Sequence, residues 1–293
     1  MFEALGTQDF EIAINALRNV SSLLPIYMPG YSAPASKMKG DAEALKKILI
    51  ETVTKNHPDT PMDVNEEQYY SCRQFLANFI GSDRGKIFTL NYDLLLYWTV
   101  MHTDFFSGEV VNLSARDGFG DDDAQSPEDY VTWQGEIASS RSTLFYLHGA
   151  LHLFDDGASL KKFTWVRTGD RLKKQSWEAI SSGALPLFVS EGTTEAKMNK
   201  ITHSAYLYQA YRALSNAASS TKDVFVVYGH SLADNDLHIF KALVRGRFPT
   251  LYVSIFGDRN SSSNQEIVKQ ARKLEELRQI SPLEVKFGTY IQN

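Results

Sequence analysis

The chain has 293 residues, of which 43% are hydrophobic and 22% charged. That length and composition permit a large buried core and exclude disordered, collagen-like and coiled-coil classes. A formal charge of -5 and a pI near 5.8 give no global basic field, so nucleic acid is not an expected partner.

The single cysteine, Cys72, can form neither an internal disulfide nor a cysteine zinc cage, and it reads as a half-buried thiol on a helix. No apolar run approaches the roughly 18 residues of a membrane span, and Met1-Phe2-Glu3-Ala4 shows no basic region ahead of an apolar core. The expectation is a cytoplasmic protein with no membrane partner.

Residues 9–24 read as an amphipathic helix, with Phe10, Ile14 and Leu17 on one face, ending before Pro25 and the Pro29-Gly30 pair. Residues 36–57 form a second helix carrying Leu45, Ile48, Leu49 and Val53, stopped by His57-Pro58. A third spans Glu66 to Ile80, closed by Gly81. The first clear strand is Lys86 to Leu90, an apolar run that stops at Asn91-Tyr92-Asp93 before a second apolar segment, Leu94 to Trp98. Asn91 and Asp93 either line a pocket at the carboxyl edge of a sheet or cap the following helix, since both residue types accept bonds from free backbone N–H groups.

Residues 107–142 are polar, with Gly118, Gly120, Pro127 and the run Asp121-Asp122-Asp123, which reads as a solvated turn rather than an ion site. Thr143 to Leu147 is a strand ending at His148-Gly149, and residues 151–154 with 163–166 suggest a small hairpin; 107–185 as a whole is expected to be an insertion. Lys161, Lys162, Arg167, Arg171, Lys173 and Lys174 form the one basic cluster, read as a solvated face. Leu185 to Ser190 is a strand, followed by Gly192-Thr193-Thr194 and a helix to about Ala218. A glycine and hydroxyls at a helix start, with Lys197 one turn in, are a candidate anion seat. Strand 224–228 turns at Gly229-His230-Ser231 into Asp234, Asn235 and Asp236 and a helix to about Arg245. Strand 251–256, helix 264–278 and strand 283–287 complete the chain.

From Thr143 onward strands and helices alternate, which predicts a largely parallel sheet covered on both faces. Three polar sets fall at strand ends: Asn91 with Asp93, His148, and His230 with Ser231, Asp234 and Asp236. Two hydrolase chemistries are weighed against this pattern. Gly229-His230-Ser231-Leu232-Ala233 is close to a nucleophile elbow, but Ala233 replaces the second glycine and His238 precedes any later acid. His230, Asp234, Asp236 and His238 are dense in metal-ligand types and His148-x-x-x-His152 has a helical two-ligand spacing, yet that pair lies in a segment read as strand with Gly149 inside. No metal is expected.

Phe88-Thr89-Leu90-Asn91-Tyr92-Asp93, Tyr146-Leu147-His148-Gly149 and Val227-Tyr228-Gly229-His230-Ser231-Leu232 with Asp236, in that order, resemble sirtuin-like domains. Most of the chain is similar to a bacterial family known as domain of unknown function 4917, with Pro186 to Thr193 and Ala150 to Phe154 belonging to that narrower likeness. The resemblance implies a single α/β domain over 1–293, Rossmann-like and doubly wound with a mostly parallel sheet, a helical N-terminal segment and an insertion. It implies NAD as ligand or substrate, and in catalytic members cleavage of the bond between nicotinamide and ribose. Carried onto this sequence, Asn91 would position water or ribose hydroxyls, Asp93 would contact the nicotinamide ribose, and His148 would act as general base. Thr89, Tyr92, Gly149, Gly229, His230, Ser231 and Asp236 would border the nucleotide. Related enzymes that destroy NAD often serve in bacterial defence against phage.

Two departures from the resembling family bear on this expectation. Met1 to Gln8 enters at what reads as the segment after the glycine-rich strand and turn of such domains, and Gly6 does not replace that turn. The paired cysteines of the zinc module in protein deacetylases are missing, which argues against protein deacylation. The expected function is an NAD-binding protein that hydrolyses NAD at the nicotinamide–ribose bond. The alternative is a non-catalytic nucleotide-binding or interaction module, with a homo-oligomer allowed by either.

Overall fold

Apolar residues at helical spacing account for the helices described before Lys86. The computed structural model describes residues 2–6, 10–55, 57–81, 85–102, 111–120, 130–135, 141–164, 170–181, 185–189 and 193–290. It is a mixed α/β protein whose chain divides into two compact units, Met1–Glu191 and Gly192–Asn293.

In the first unit, a short helix α1 (Phe2–Leu5) precedes α2 (Phe10–Tyr27) and α3 (Ser32–Thr54), which pack against each other across a short link. Helix α2 runs through Pro25 instead of ending before it, and the Met28 N–H still donates to Leu24 O at 2.9 Å. Proline in a last turn removes one donor but leaves the rest of the helix intact. Helix α3 starts at Ser32, four residues earlier than periodicity suggests, because Pro34 falls in the first turn, where N–H groups lack helical partners in any case. Helix α4 (Glu66–Ile80) has the expected bounds. Asn65 Oδ1 accepts the Gln68 N–H at 2.8 Å and Gln68 Oε1 accepts the Asn65 N–H at 3.2 Å, a reciprocal cap. Cys72 lies on this helix and is exposed rather than half-buried.

Strand β1 (Ile87–Thr89) leads into α5 (Leu95–Met101). The C-terminal end of α5 is held by buried Arg73 of α4, whose guanidinium donates to the carbonyls of Thr99, Val100 and Val111 at 2.7 to 2.8 Å. Strands β2 (Tyr130–Thr132), β3 (Leu144–Tyr146), β4 (Gly149–Asp155) and β5 (Leu160–Phe163) follow, then α6 (Leu172–Ser181) and β6 (Leu185–Phe188). Strand β1 pairs in parallel with β3, in the register Ile87 to Leu144 and Thr89 to Tyr146. The others form a separate sheet in the order β2-β5-β4-β6, and its pairings are antiparallel.

That sheet departs from the mostly parallel arrangement that alternation predicts. Only Asp156 to Ser159 separate β4 from β5, far too few residues for the crossover a parallel pair needs. A hairpin is formed by β4 and β5, but its second strand is Leu160–Phe163 and not the expected 163–166, because the turn at Asp156 to Ser159 starts the return earlier; part of the polar 107–142 segment joins the same sheet as β2. The Asp121-Asp122-Asp123 run lies outside the described residues. Ile14, Leu49, Ile50, Tyr69, Tyr97, Trp98, Leu151, Phe154 and Leu172 pack as the core of this unit. Each buried side chain of this kind contributes about 2 to 3 kcal/mol before entropy is counted.

The second unit begins with α7 (Thr194–His203) and α8 (Ala205–Ala218), where the sequence pattern predicts one continuous helix. Ser204 breaks it: its backbone is extended and its Oγ accepts the Leu207 N–H at 3.4 Å, so it caps a new helix. Strand β7 (Val224–Val227), a 3-10 turn (Asp234–Asp236), α9 (Leu237–Val244), β8 (Thr250–Phe256), α10 (Ser262–Leu277) and β9 (Glu284–Tyr290) follow. These three strands form a parallel sheet in the order β7-β8-β9, with a helix in each connection.

Along β8, Leu251, Val253 and Ile255 are buried while Tyr252 and Phe256 are exposed, and α10 contacts both β8 and β9. Val224, Val226 and Tyr228 are exposed as well, so among the described residues of this unit one face of the sheet keeps apolar side chains open, where the alternation predicts cover on both faces. Arg278 is buried and donates to the carbonyls of Leu243, Gly246 and Phe248, closing the end of α9. Among the described residues, no helix is long and apolar enough to cross a membrane.

Candidate functional site

The parallel pairing of β1 with β3 decides where the first polar set lies. Thr89 is level with Tyr146, so Asn91 and His148 each stand two residues beyond the carboxyl ends of neighbouring strands, on the same edge. The Leu147 N–H donates to Thr89 O at 2.9 Å and the Leu151 N–H to Tyr92 O at 2.8 Å, which ties the two strand exits together. Asn91 is exposed, and its N–H donates to Thr89 Oγ1 at 3.1 Å. Asp93 is half-buried, and its Oδ1 accepts the Leu95 N–H at 2.9 Å, opening α5. Tyr92 is exposed, with its ring 6.3 Å from that of Phe188.

His148 is buried, and its carbonyl accepts the Val189 N–H at 2.8 Å. The next residue, Gly149, has φ +77, and a Cβ there would stand 1.9 Å from Leu187 O. Only glycine fits that approach of β4 to β6, so Gly149 has a structural duty that sets the exit angle at His148. His152 does not extend the pair as a helical ligand set, because it lies inside strand β4. It is fully buried, its ring stacked on Tyr97 at 4.4 Å and edge-on to Tyr146 at 5.3 Å. Among the described residues neither of its ring nitrogens has a hydrogen-bond partner. Burial, reinforced by the nearby Lys162 ammonium, holds its pKa well below the ordinary imidazole value.

His57 plays a part here that the sequence did not signal. Its Nδ1 faces Pro58 O at 2.8 Å and its Nε2 faces the Leu94 N–H at 2.9 Å. A carbonyl only accepts and an amide only donates, so the ring is neutral with its proton on Nδ1. The ring also sits edge-on to Trp98 at 4.7 Å. A histidine before proline reads as a helix stop, and nothing local shows that it anchors a loop 37 residues away.

In the second unit, the polar set follows β7. Gly229 has φ +66 and donates its N–H to Ser254 Oγ at 3.3 Å. Ser231 is exposed, and Leu232, buried, takes a positive φ of 57, a costly conformation for a side chain of its type. His230 Nδ1 accepts the Leu232 N–H at 2.8 Å, which puts the ring proton on Nε2, 3.3 Å from Asp236 Oδ2. The other carboxylate oxygen of Asp236 accepts from Lys197 Nζ at 3.1 Å. Lys197 is almost wholly buried, so Asp236 compensates an ammonium out of water while orienting an imidazole. Thr193 caps α7 by accepting the Ala196 N–H, and Thr194 Oγ1 donates to Asp234 O at 3.4 Å. Gly192, the remaining member of the candidate anion seat, lies outside the described residues. His238 is buried on α9, its pKa pushed down to about 4 by desolvation; Asp236 opposes that shift, and Lys197 and Lys241 add to it.

Two strand-end polar sets, one on a parallel strand pair and one on a three-stranded parallel sheet, define a mixed α/β protein with ligand-type side chains at sheet edges. The chain belongs to the family described as Domain of unknown function (DUF4917), whose model matches residues 1–289. It has no significant match among curated proteins or among solved structures.

Proposed function

We propose that this is a sirtuin-like, cytoplasmic NAD-binding protein that hydrolyses NAD at the nicotinamide–ribose bond. The supporting observation is that Asn91, Asp93 and His148 leave adjacent parallel strands on one edge. Cleavage of a C–N glycosidic bond builds oxocarbenium character at ribose C1, which the Asp93 carboxylate stabilises, while the Asn91 amide orients the attacking water. The His148 imidazole takes the proton from that water as the C–O bond forms and nicotinamide departs. In the second unit, Gly229, His230, Ser231 and Asp236 form a turn suited to a nucleotide's polar edge, with the His230 tautomer set by Leu232 and Asp236.

A second reading, a non-catalytic nucleotide-binding module, is favoured by one specific contact. Asp93 Oδ1 already serves the Leu95 N–H, so its carboxylate has a structural duty without any chemistry. Incubation with NAD and measurement of free nicotinamide separates the readings. Release that His148→Ala abolishes, in a protein whose circular dichroism is unchanged, supports hydrolysis. No release, with ADP-ribose binding detected by calorimetry, assigns the module instead.

A further inference from the structure

A cleft of about 650 Å³ in the first unit is lined by Lys47, Ile50 and Glu51 of α3 and by Arg171, Lys173, Lys174 and Trp177 at and along α6. None of these residues belongs to either strand-end set. Four cations and one carboxylate face this space, on a chain whose overall charge is -5.

The helical spacing assembles it. Lys173 and Trp177 are four apart and Lys174 and Trp177 three apart, so ammonium groups and indole share a face of α6. Lys47 and Glu51 are likewise four apart on α3, which packs against α6. Ile50 is 1% exposed and forms the apolar floor, whereas the Trp177 indole is 41% exposed on a helix whose other apolar residues Leu172, Ala179 and Ile180 are buried. A tryptophan left open beside an apolar floor is a flat surface available to a ring.

The charges are only loosely compensated. Glu51 lies 3.9 Å from Lys47 and 4.0 Å from Lys173, at the outer limit of ion pairing, and Arg171 is 3.6 Å from Asp59. Lys174 is the exception, 2.9 Å from Asp170. Exposed pairs of this kind contribute little and exchange readily for a dianion, which Arg and Lys bind through charge-assisted hydrogen bonds.

We propose that this cleft is a binding site for a small ring-bearing phosphate ester of the mononucleotide type. The base stacks on Trp177 above Ile50, and the phosphate engages Lys47, Arg171 and Lys173. Glu51 accepts from the ribose hydroxyls, a role carboxylates commonly fill toward sugar diols. The site is independent of the NAD chemistry at His148.

Titrating the full chain with AMP, adenosine and inorganic phosphate, by calorimetry and tryptophan fluorescence, tests it. AMP is expected to bind saturably and to quench fluorescence in a way that Trp177→Phe removes, which assigns the signal among the four tryptophans. Adenosine and phosphate alone should each bind at least about tenfold more weakly. Trp177→Ala should weaken AMP about tenfold, in the range that base–aromatic stacking supports. The paired charge reversals Lys47→Glu and Lys173→Glu should weaken it at least as much and flatten its salt dependence. All four variants alter exposed side chains, so an unchanged thermal transition accompanies each. AMP binding that none of these substitutions changes overturns the proposal, as does no binding at millimolar AMP. Phosphate binding as well as AMP excludes the ring, and a single-stranded oligonucleotide that AMP fails to displace assigns the surface to nucleic acid. Nicotinamide release by Trp177→Ala should equal that of the native chain, so the two proposals fail or stand separately.

Discussion

The Leu94 N–H donates to Nε2 of His57 at 2.9 Å, pinning the start of α5 to a residue 37 positions earlier in the chain. The bond holds the segment beyond β1 that carries Asn91 and Asp93, with the Nε2 lone pair as its acceptor. His57→Ala should cost about 1 to 3 kcal/mol, because it leaves a buried residue's N–H without an acceptor and removes a ring from Trp98. His57→Gln, which offers a carbonyl oxygen, should lose less. Urea unfolding followed by far-ultraviolet circular dichroism distinguishes the two, and equal losses would show that ring packing rather than the hydrogen bond matters.

Asp93 separates structure from chemistry. Asp93→Asn keeps an oxygen for the Leu95 N–H, and its unfolding midpoint should stay near native, whereas Asp93→Ala should lose about 1 kcal/mol, as a removed helix-start acceptor does. If the carboxylate stabilises the glycosidic transition state, both variants lose nicotinamide release by about a hundredfold or more. Full activity in Asp93→Asn would remove the carboxylate from the mechanism.

Acid sensitivity follows from two buried histidines. The folded chain holds His152 well below, and His238 at about 4, against an ordinary imidazole value near 6.5. The unfolded chain therefore binds more protons as pH falls below about 6.5, so stability is full above that pH and declines beneath it. Each histidine contributes a slope of up to about 1.4 kcal/mol per pH unit. His152→Phe fills the same place against Tyr97 without two buried ring nitrogens. It should leave stability at pH 8 equal or higher and reduce the loss between pH 6.5 and 5; an unchanged slope would mean that His152 does not titrate on unfolding.

The Lys197–Asp236 pair is a buried charge that depends on its partner. Asp236→Asn leaves the ammonium without its carboxylate and should cost about 3 to 5 kcal/mol, the range for breaking one side of a buried pair. Adding Lys197→Met should restore much of that. A double-mutant cycle in guanidinium reads the coupling, and simple additivity would show that the pair contributes nothing.

Arg278 closes the end of α9 through three carbonyls and lies over the Phe248 ring at 4.5 Å. Arg278→Lys retains the charge but not the planar fork, and it should still lose about 2 kcal/mol or more in thermal unfolding, since hydrogen bonds to charged groups carry about 1.5 to 3 kcal/mol each. Native-like stability in Arg278→Lys would show that the charge alone suffices.

Much of this protein follows from local pattern. Apolar spacing and capping residues place α4 at Glu66–Ile80 to the residue, and the apolar runs ending at Asn91, His148 and Gly229 mark β1, β3 and β7, with the polar side chains at their exits. These signals are legible because helix caps, turns and side-chain alternation depend on neighbours a few positions apart. Pairing between distant segments has no such local signal: the joining of β2 and β6 to the β4–β5 hairpin, the anchoring of Leu94 by His57, and the meeting of Lys197 with Asp236 39 residues later. Such contacts join segments with no local record of one another. Each is chosen by loop length, by buried donors that need acceptors, and by charges that need partners once water is gone.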